Sequence, residues 1–211
     1  MIGQVQILNP KDIGSAASVI AKNEVLLKDL GNESISSMVR RGGGVQTVRA
    51  RVLDPSMAVV ELVVNVCESM GANIVNTVCE HVAPKIAELL GGEQGICILS
   101  NLATERLTKA SFKIPVSALA WKGKPGEEVA HRILQAHRFA ELDMHRATTH
   151  NKGILNGIDA VALAVGQDWR AIEAGAHAFA AQSGRYRPLT RYHTTDGYLH
   201  GQLELPLAVG T

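Results

Sequence analysis

The sequence predicts an α+β fold in two parts: a ferredoxin-like unit, βαββαβ, over residues 1–102, and part of a larger α/β domain over residues 103–211. The first unit follows from the order of patterns. Short β-branched stretches and longer stretches of helical period alternate as strand, helix, strand, strand, helix, strand. The second part follows from a change of texture near residues 101–105, after which a proline-limited strand, helical stretches and a closing hairpin succeed one another. A third observation agrees: the GxGxxG fingerprint of a doubly wound dinucleotide fold is missing.

Taken in order, GQVQILN (3–9) alternates as a strand, and the stretch from Asn9 to Gly31 reads as a helix with Pro10 in its first turn and Gly31 at its end. RRGGG (40–44) is a loop. In residues 45–54 Val45, Val48 and Val52 interleave with polar residues, Asp54-Pro55-Ser56 marks a turn, and 57–66 is a second β-branched run. Ile74, Val78, Val82, Ile86 and Leu90 recur at helical spacing through 70–92, with Pro84 expected to kink or break the helix. GICILS (95–100) closes the first unit. The second part begins with a strand in 105–121, then a helix from about Glu127 to Leu142, a polar stretch RATTHNKGILNGID (146–159), an Ala-rich helix over 167–184, and strands joined at Asp196-Gly197, a strong hairpin signal.

The totals set bounds. With 211 residues, 46% hydrophobic and 19% charged, the chain can hold a real core. A net charge of +1 argues against nucleic acid or an anionic membrane as the main partner. Cys67, Cys79 and Cys97 are odd in number and form no CxxC, which argues against a disulfide framework and against a metal site; free buried thiols are expected. No apolar run reaches a membrane span and the N-terminus lacks the shape of a signal peptide, so a cytoplasmic location is expected. The chain starts inside a strand and stops just after ELPLAVGT, which reads as a slice of a larger fold or as a chain completed by association.

Chemistry concentrates in 146–159. Lys152 stands beside a glycine and before IDAVALAVG, a run that reads as buried, so its ammonium could be aimed at a ligand and stabilise a developing alkoxide. Asp168, at a helix start, is its best candidate partner; an ordinary acid favoured by the helix dipole is the other reading. Arg146, Asn151 and Asn156 add donors, and arginine suits carboxylate or phosphate recognition. They could equally satisfy backbone groups in a loop. His150 is a candidate general acid or a structural histidine, and His177 reads as packing. ESMGANIVN (68–76) places Gly71 at a helix start after an apolar strand, where backbone amides can approach an anion.

MGANIVNTVCE, ILSNLA, the long stretch RATTHNKGILNGIDAVALAVGQDWRAIEAGAHA and the closing GQLELPLAVG together resemble hydroxymethylglutaryl-CoA (HMG-CoA) reductase, most closely its soluble class II branch. The likeness runs in order over essentially the whole chain. It implies a two-step reduction of HMG-CoA to mevalonate and CoA, with NADH or NADPH as cofactor. It gives Lys152 the place at the reacting carbonyl and Asp168 the tuning of that lysine. Arg146, Asn156 and Asn101 would hold substrate, and Glu68, Met70, Gly71, Ala72 and Asn73 would lie along the cofactor. The first unit becomes the cofactor domain, ferredoxin-like rather than Rossmann, and the second part of the substrate domain. The resemblance also implies a homo-oligomer, a dimer or a trimer of dimers, with active sites at the dimer interface. Two departures stand out. Glu68-Ser69 replace the usual Asp-Ala before MGAN, and the family's catalytic glutamate and histidine lie in segments before and after this chain, so it is expected to be inactive alone. The rival readings are a Schiff-base lysine enzyme acting on a carbonyl and a non-catalytic ferredoxin-like binding or assembly module.

Overall fold

The computed structural model describes residues 1–210 and contains two compact units: residues 1–105 with 208–210, and Arg106–Leu207. Residues 208–210 thus belong with the first unit, whereas the sequence reading ran the second part through to 211.

The first unit is a four-stranded sheet with helices between its strands. The strands are β1 (Ile2–Leu8), β2 (Gly44–Asp54), β3 (Met57–Asn65) and β4 (Glu93–Ser100). They lie in the order β2-β3-β1-β4, every neighbouring pair antiparallel. The expected single helix after β1 is instead a 3-10 turn at Ile13–Ser15 followed by α1 (Ala16–Lys22), α2 (Glu24–Ser34) and α3 (Ser36–Val39). The break between α1 and α2 falls at Asn23, whose side-chain amide donates to the Val19 carbonyl. Asparagine competes with helical hydrogen bonding in this way. A bulge between Val45 and Thr47 explains the odd spacing of Val45 and Val48, both buried, and Val52 lies half exposed.

Helix α4 (Ala72–Leu90) buries Val75, Val78, Cys79, Val82, Ala83, Ile86 and Leu90. It continues through Pro84 without a break. Pro84 and Glu80, whose carbonyl loses its donor, are both exposed, so water can satisfy that carbonyl. The buried cluster runs from Met1 to Ala103 and includes Val5, Ile7, Ile20, Leu27, Val60, Leu62 and Val64. Burial pushes the Cys79 thiol up to about 12, so it packs as an inert hydrophobe.

The second unit has a three-stranded antiparallel sheet in the order β5-β7-β6, from β5 (Leu107–Pro115), β6 (Thr190–Thr195) and β7 (Tyr198–Pro206). Asp196 and Gly197 both take positive φ, 50° and 76°, as a tight twisted hairpin needs. Between β5 and β6 come α5 (Gly126–Leu142), α6 (Met144–Ala164) and α7 (Trp169–Ala181). Its buried cluster is small: Leu155, Ala176, Ala180, Leu189 and Leu205.

Candidate functional site

The polar stretch 146–159 is not a loop. It lies wholly inside α6, which starts at Asp143, whose carboxylate accepts from the Arg146 N–H at 2.7 Å. A helix advances about 100° per residue, and that rotation sorts the stretch into two faces. Ala147, Asn151, Leu155 and Ala162 are buried on one face. Arg146, Lys152, Gly153, Asn156 and Gly157 fall within an arc of roughly 140° on the other; Arg146 is half-buried and the rest are exposed.

The buried face corrects one reading. Asn151 is no ligand donor: it is fully buried, its amide donates to the Arg187 carbonyl at 2.9 Å, and its oxygen accepts from the Leu189 N–H at 2.9 Å. Next to it the His150 Nε2 lies 2.6 Å from the Thr190 Oγ1. Both side chains therefore clamp α6 to the chain entering β6. Burial, then the nearby Arg146 and His137, hold His150 below the ordinary imidazole value, so it favours the neutral ring.

The open face corrects another. Lys152 is exposed rather than aimed into a buried run. The run that follows it is largely outward-facing too: Val161, Leu163 and Val165 are exposed and only Ala162 is buried. Gly153 and Gly157 sit among Lys152, Asn156 and Arg146, and nothing lies within 4 Å of where a Cβ would stand on either. Neither is needed for a left-handed turn or a close approach, yet a helical glycine costs about 1 kcal/mol relative to alanine. Their effect is to leave the face flat around the lysine. The sequence hinted at this through the glycines, but only the helix places them beside the donors.

The structure does not bring Lys152 and Asp168 together in one chain. Asp168 caps α7, accepting from the Ala171 N–H at 3.1 Å. Lys152 makes no ion pair among the described residues. The chain reaches Asp168 only after α6 has run on to Ala164, and Gln167 is tied back to the Ala162 carbonyl. Ten residues of helix separate Lys152 from Ala162, a rise of about 15 Å that a lysine side chain cannot span. The Asp159 carboxyl on α6 is pushed up by burial and by the nearby Glu173 carboxyl of α7. His177 is more than packing: its Nδ1 lies 2.7 Å from the Tyr186 hydroxyl and the rings stack.

In the first unit, residues 65–71 form a tight loop. Asn65 Oδ1 accepts from the Cys67 N–H at 3.0 Å, Cys67 takes φ 50°, and the Ser69 N–H donates to Val66 O. Gly71 then begins α4 at φ 96° with no side-chain cap, against Val66. A Cβ there would crowd the Val66 methyls, so only glycine fits. Gly210 lies against the backbone of Glu68, Ser69 and Met70, close enough that a side chain would collide with the Met70 nitrogen. Two distant stretches of sequence, ESMGAN and LAVG, thus meet at one helix start. Glu68 and Asn73 are exposed, Met70 and Ala72 half-buried. Asn101 is exposed just after β4, in a turn where its carbonyl accepts from the Ala103 N–H.

The family profile described as hydroxymethylglutaryl-coenzyme A reductase matches residues 1–211. The chain belongs to that family. It is 42% identical over 214 residues to the 3-hydroxy-3-methylglutaryl-coenzyme A reductase of Archaeoglobus fulgidus, covering 100% of this chain and 48% of that one. Among solved structures, the Streptococcus pneumoniae reductase superposes with a TM-score of 0.95 at 42% identity, over 100% of this chain and 51% of that one. A second structure from that organism, of the class II enzyme bound to NADPH in open conformations, matches with a TM-score of 0.94 at 42% identity, over 100% of this chain and 52% of that one. The chain spans about half the length of the reductases it matches. No described helix is long and apolar enough to cross a membrane, and the described residues hold no metal-binding cluster.

Proposed function

We propose that the chain takes part in the NADH- or NADPH-dependent reduction of HMG-CoA to mevalonate and CoA. The observation that carries this is the open face of α6, where Arg146, Lys152 and Asn156 surround two glycines that nothing packs against. It offers one mobile cation, one guanidinium and one carboxamide on a surface with room for substrate. Two hydrides and two protons turn the thioester into a primary alcohol and a free thiol. A nicotinamide cofactor supplies the hydrides when bound. Lys152 donates to the carbonyl oxygen as it gains negative charge, a contribution of about 3 kcal/mol to the barrier. Arg146 holds a carboxylate through its paired donors, and Asn156 orients a substrate hydroxyl or carbonyl.

The first unit is ferredoxin-like and holds the cofactor in this reading. The strand order β2-β3-β1-β4 with all pairs antiparallel supports the fold. The start of α4, which has no side-chain cap, supports the binding, since first-turn amides and the helix dipole suit a phosphate, with Glu68, Met70, Gly71, Ala72 and Asn73 around it. Asn101 lies on the substrate path. The second unit is part of the substrate domain.

Because one chain keeps Lys152 and Asp168 apart, Asp168 acts on the lysine of a second copy, and the working form is at least a dimer. The test follows nicotinamide absorbance with HMG-CoA and either NADH or NADPH, using the protein at the length its relatives have. Lys152→Ala and Asp168→Asn should each lower turnover about 10²-fold or more, and mixing the two should restore it. Oxidation at the wild-type rate in Lys152→Ala removes the lysine from the mechanism. A mixture that stays slow removes the shared site.

A further inference from the structure

The second unit holds a cavity of about 590 Å³ whose lining includes none of Arg146, Lys152 and Asn156. That volume suits a small organic ligand. Its lining is apolar at Phe179, Ala180, Leu189 and Leu203 and charged at Lys109, Arg187, Arg191 and Glu204. Three cations therefore face one carboxylate, an excess of two positive charges. Glu204 is committed to Lys109 at 3.4 Å. Among the described residues Arg187 and Arg191 have no ion-pair partner at all. Two unpaired guanidinium forks in a partly apolar lining match a dianion carrying an apolar body.

We propose that this cavity binds a phosphate monoester of an apolar or aromatic group, at a site separate from the Lys152 face. The apolar body rests on Phe179 and Leu203, and the phosphate accepts from Arg187 and Arg191. Ser111, Ser183 and Gln202 stand among the other lining residues. The wall it touches is also the segment that Asn151 clamps, through the Arg187 carbonyl and the Leu189 N–H. Occupancy is therefore felt at Asn151, one residue from Lys152.

The probe is phenyl phosphate, titrated into the 211-residue chain while the Asn151 side-chain amide is followed by NMR, beside inorganic phosphate, benzoate and benzyl alcohol. Phenyl phosphate should move the Asn151 resonance saturably. Inorganic phosphate and benzoate should bind about tenfold more weakly or worse, and benzyl alcohol not at all. Arg187→Gln and Arg191→Gln, both at exposed residues, should each weaken binding about tenfold without lowering the melting temperature, and Lys152→Ala should leave it unchanged. Equal binding by the double arginine variant overturns the site. So does an Asn151 resonance that phenyl phosphate leaves still. Benzoate binding more tightly than phenyl phosphate overturns the phosphate assignment.

Discussion

The two units are held together differently. The first has the larger core: its buried cluster draws on β1, β2 and β3 and on α1, α2, α3 and α4, with Cys97 and Leu99 of β4 packed against it, and most of its members are fully buried, although Val25 and Ile96 stay in solvent. The second buries few large side chains, fills its helix contacts with Ala176 and Ala180, and leaves Phe139, Leu142, Met144, Val161, Leu163 and Val165 in solvent. Its longest helix is fixed as much by the Asn151 and His150 clamps as by apolar bulk. The contrast teaches that a frame can be built from surface burial, whereas a helix that leaves one face open is fixed through directional polar contacts on the other.

The largest effects should therefore come by different routes in the two units. Ile86→Ala, at a fully buried position in α4, should cost the first unit roughly 2–5 kcal/mol. Asn151→Ala should cost the second a comparable amount, because the Arg187 carbonyl and the Leu189 N–H lose their partner at about 1–3 kcal/mol each. Hydrogen exchange resolved by segment reads both. Loss spread evenly over the two units in either variant would break the comparison.

Next in size is the exposed face. Lys152→Ala should lower turnover about 10²–10³-fold while changing the melting temperature of neither unit, since the lysine makes no ion pair among the described residues. A smaller effect has opposite signs in two readouts. Gly153→Ala and Gly157→Ala should each stabilise α6 by about 0.5–1 kcal/mol, because nothing stands near the added methyl. Each should raise the KM for HMG-CoA if the glycines keep the face open. Stabilisation with an unchanged KM would mean that the flat face has no substrate on it.

Much of the fold was legible from local pattern. The order of elements in residues 1–100 followed from β-branched alternation and the apolar spacing of α4, and the hairpin from Asp196-Gly197. The break at Asn23 was not legible, because the apolar stripe continues across it and only a side-chain hydrogen bond to Val19 marks it. The donors Arg146, Lys152 and Asn156 were legible as residue types. Read as a loop they had no common face, and threonines and glycines mask the helical period of 146–159. Asn151 was indistinguishable from them in sequence, since a buried clamp and an exposed ligand group are the same carboxamide until its partners in 187–189 are known. The contact of Gly210 with Glu68–Met70 joins residues too far apart for any local pattern to reveal.

The smallest expected effect separates the units by pH. His150 sits below the ordinary imidazole value through burial, Arg146 and His137, so protons bind the unfolded chain more readily. Its contribution to stability is whole above about pH 6.5, the unfolded value, and is lost as pH falls through it towards the folded value. Glu61 in the first unit behaves otherwise. Burial pushes its carboxyl up, but hydrogen bonds from Arg51 and Arg49 outweigh that and hold it down. Its contribution is whole above about pH 4.3 and is lost only in stronger acid. Between about pH 6.5 and 5 the second unit should loosen while the first does not. Asp159, raised by burial and Glu173, works against His150 by favouring the folded state as acid protonates it. The decisive quantity is therefore the difference between wild type and His150→Gln, in which Asp159 cancels. Exchange rates across α6 should climb as the pH falls from about 6.5 to 5 in wild type and stay flatter in the variant; identical pH slopes would place the titration on a group other than His150.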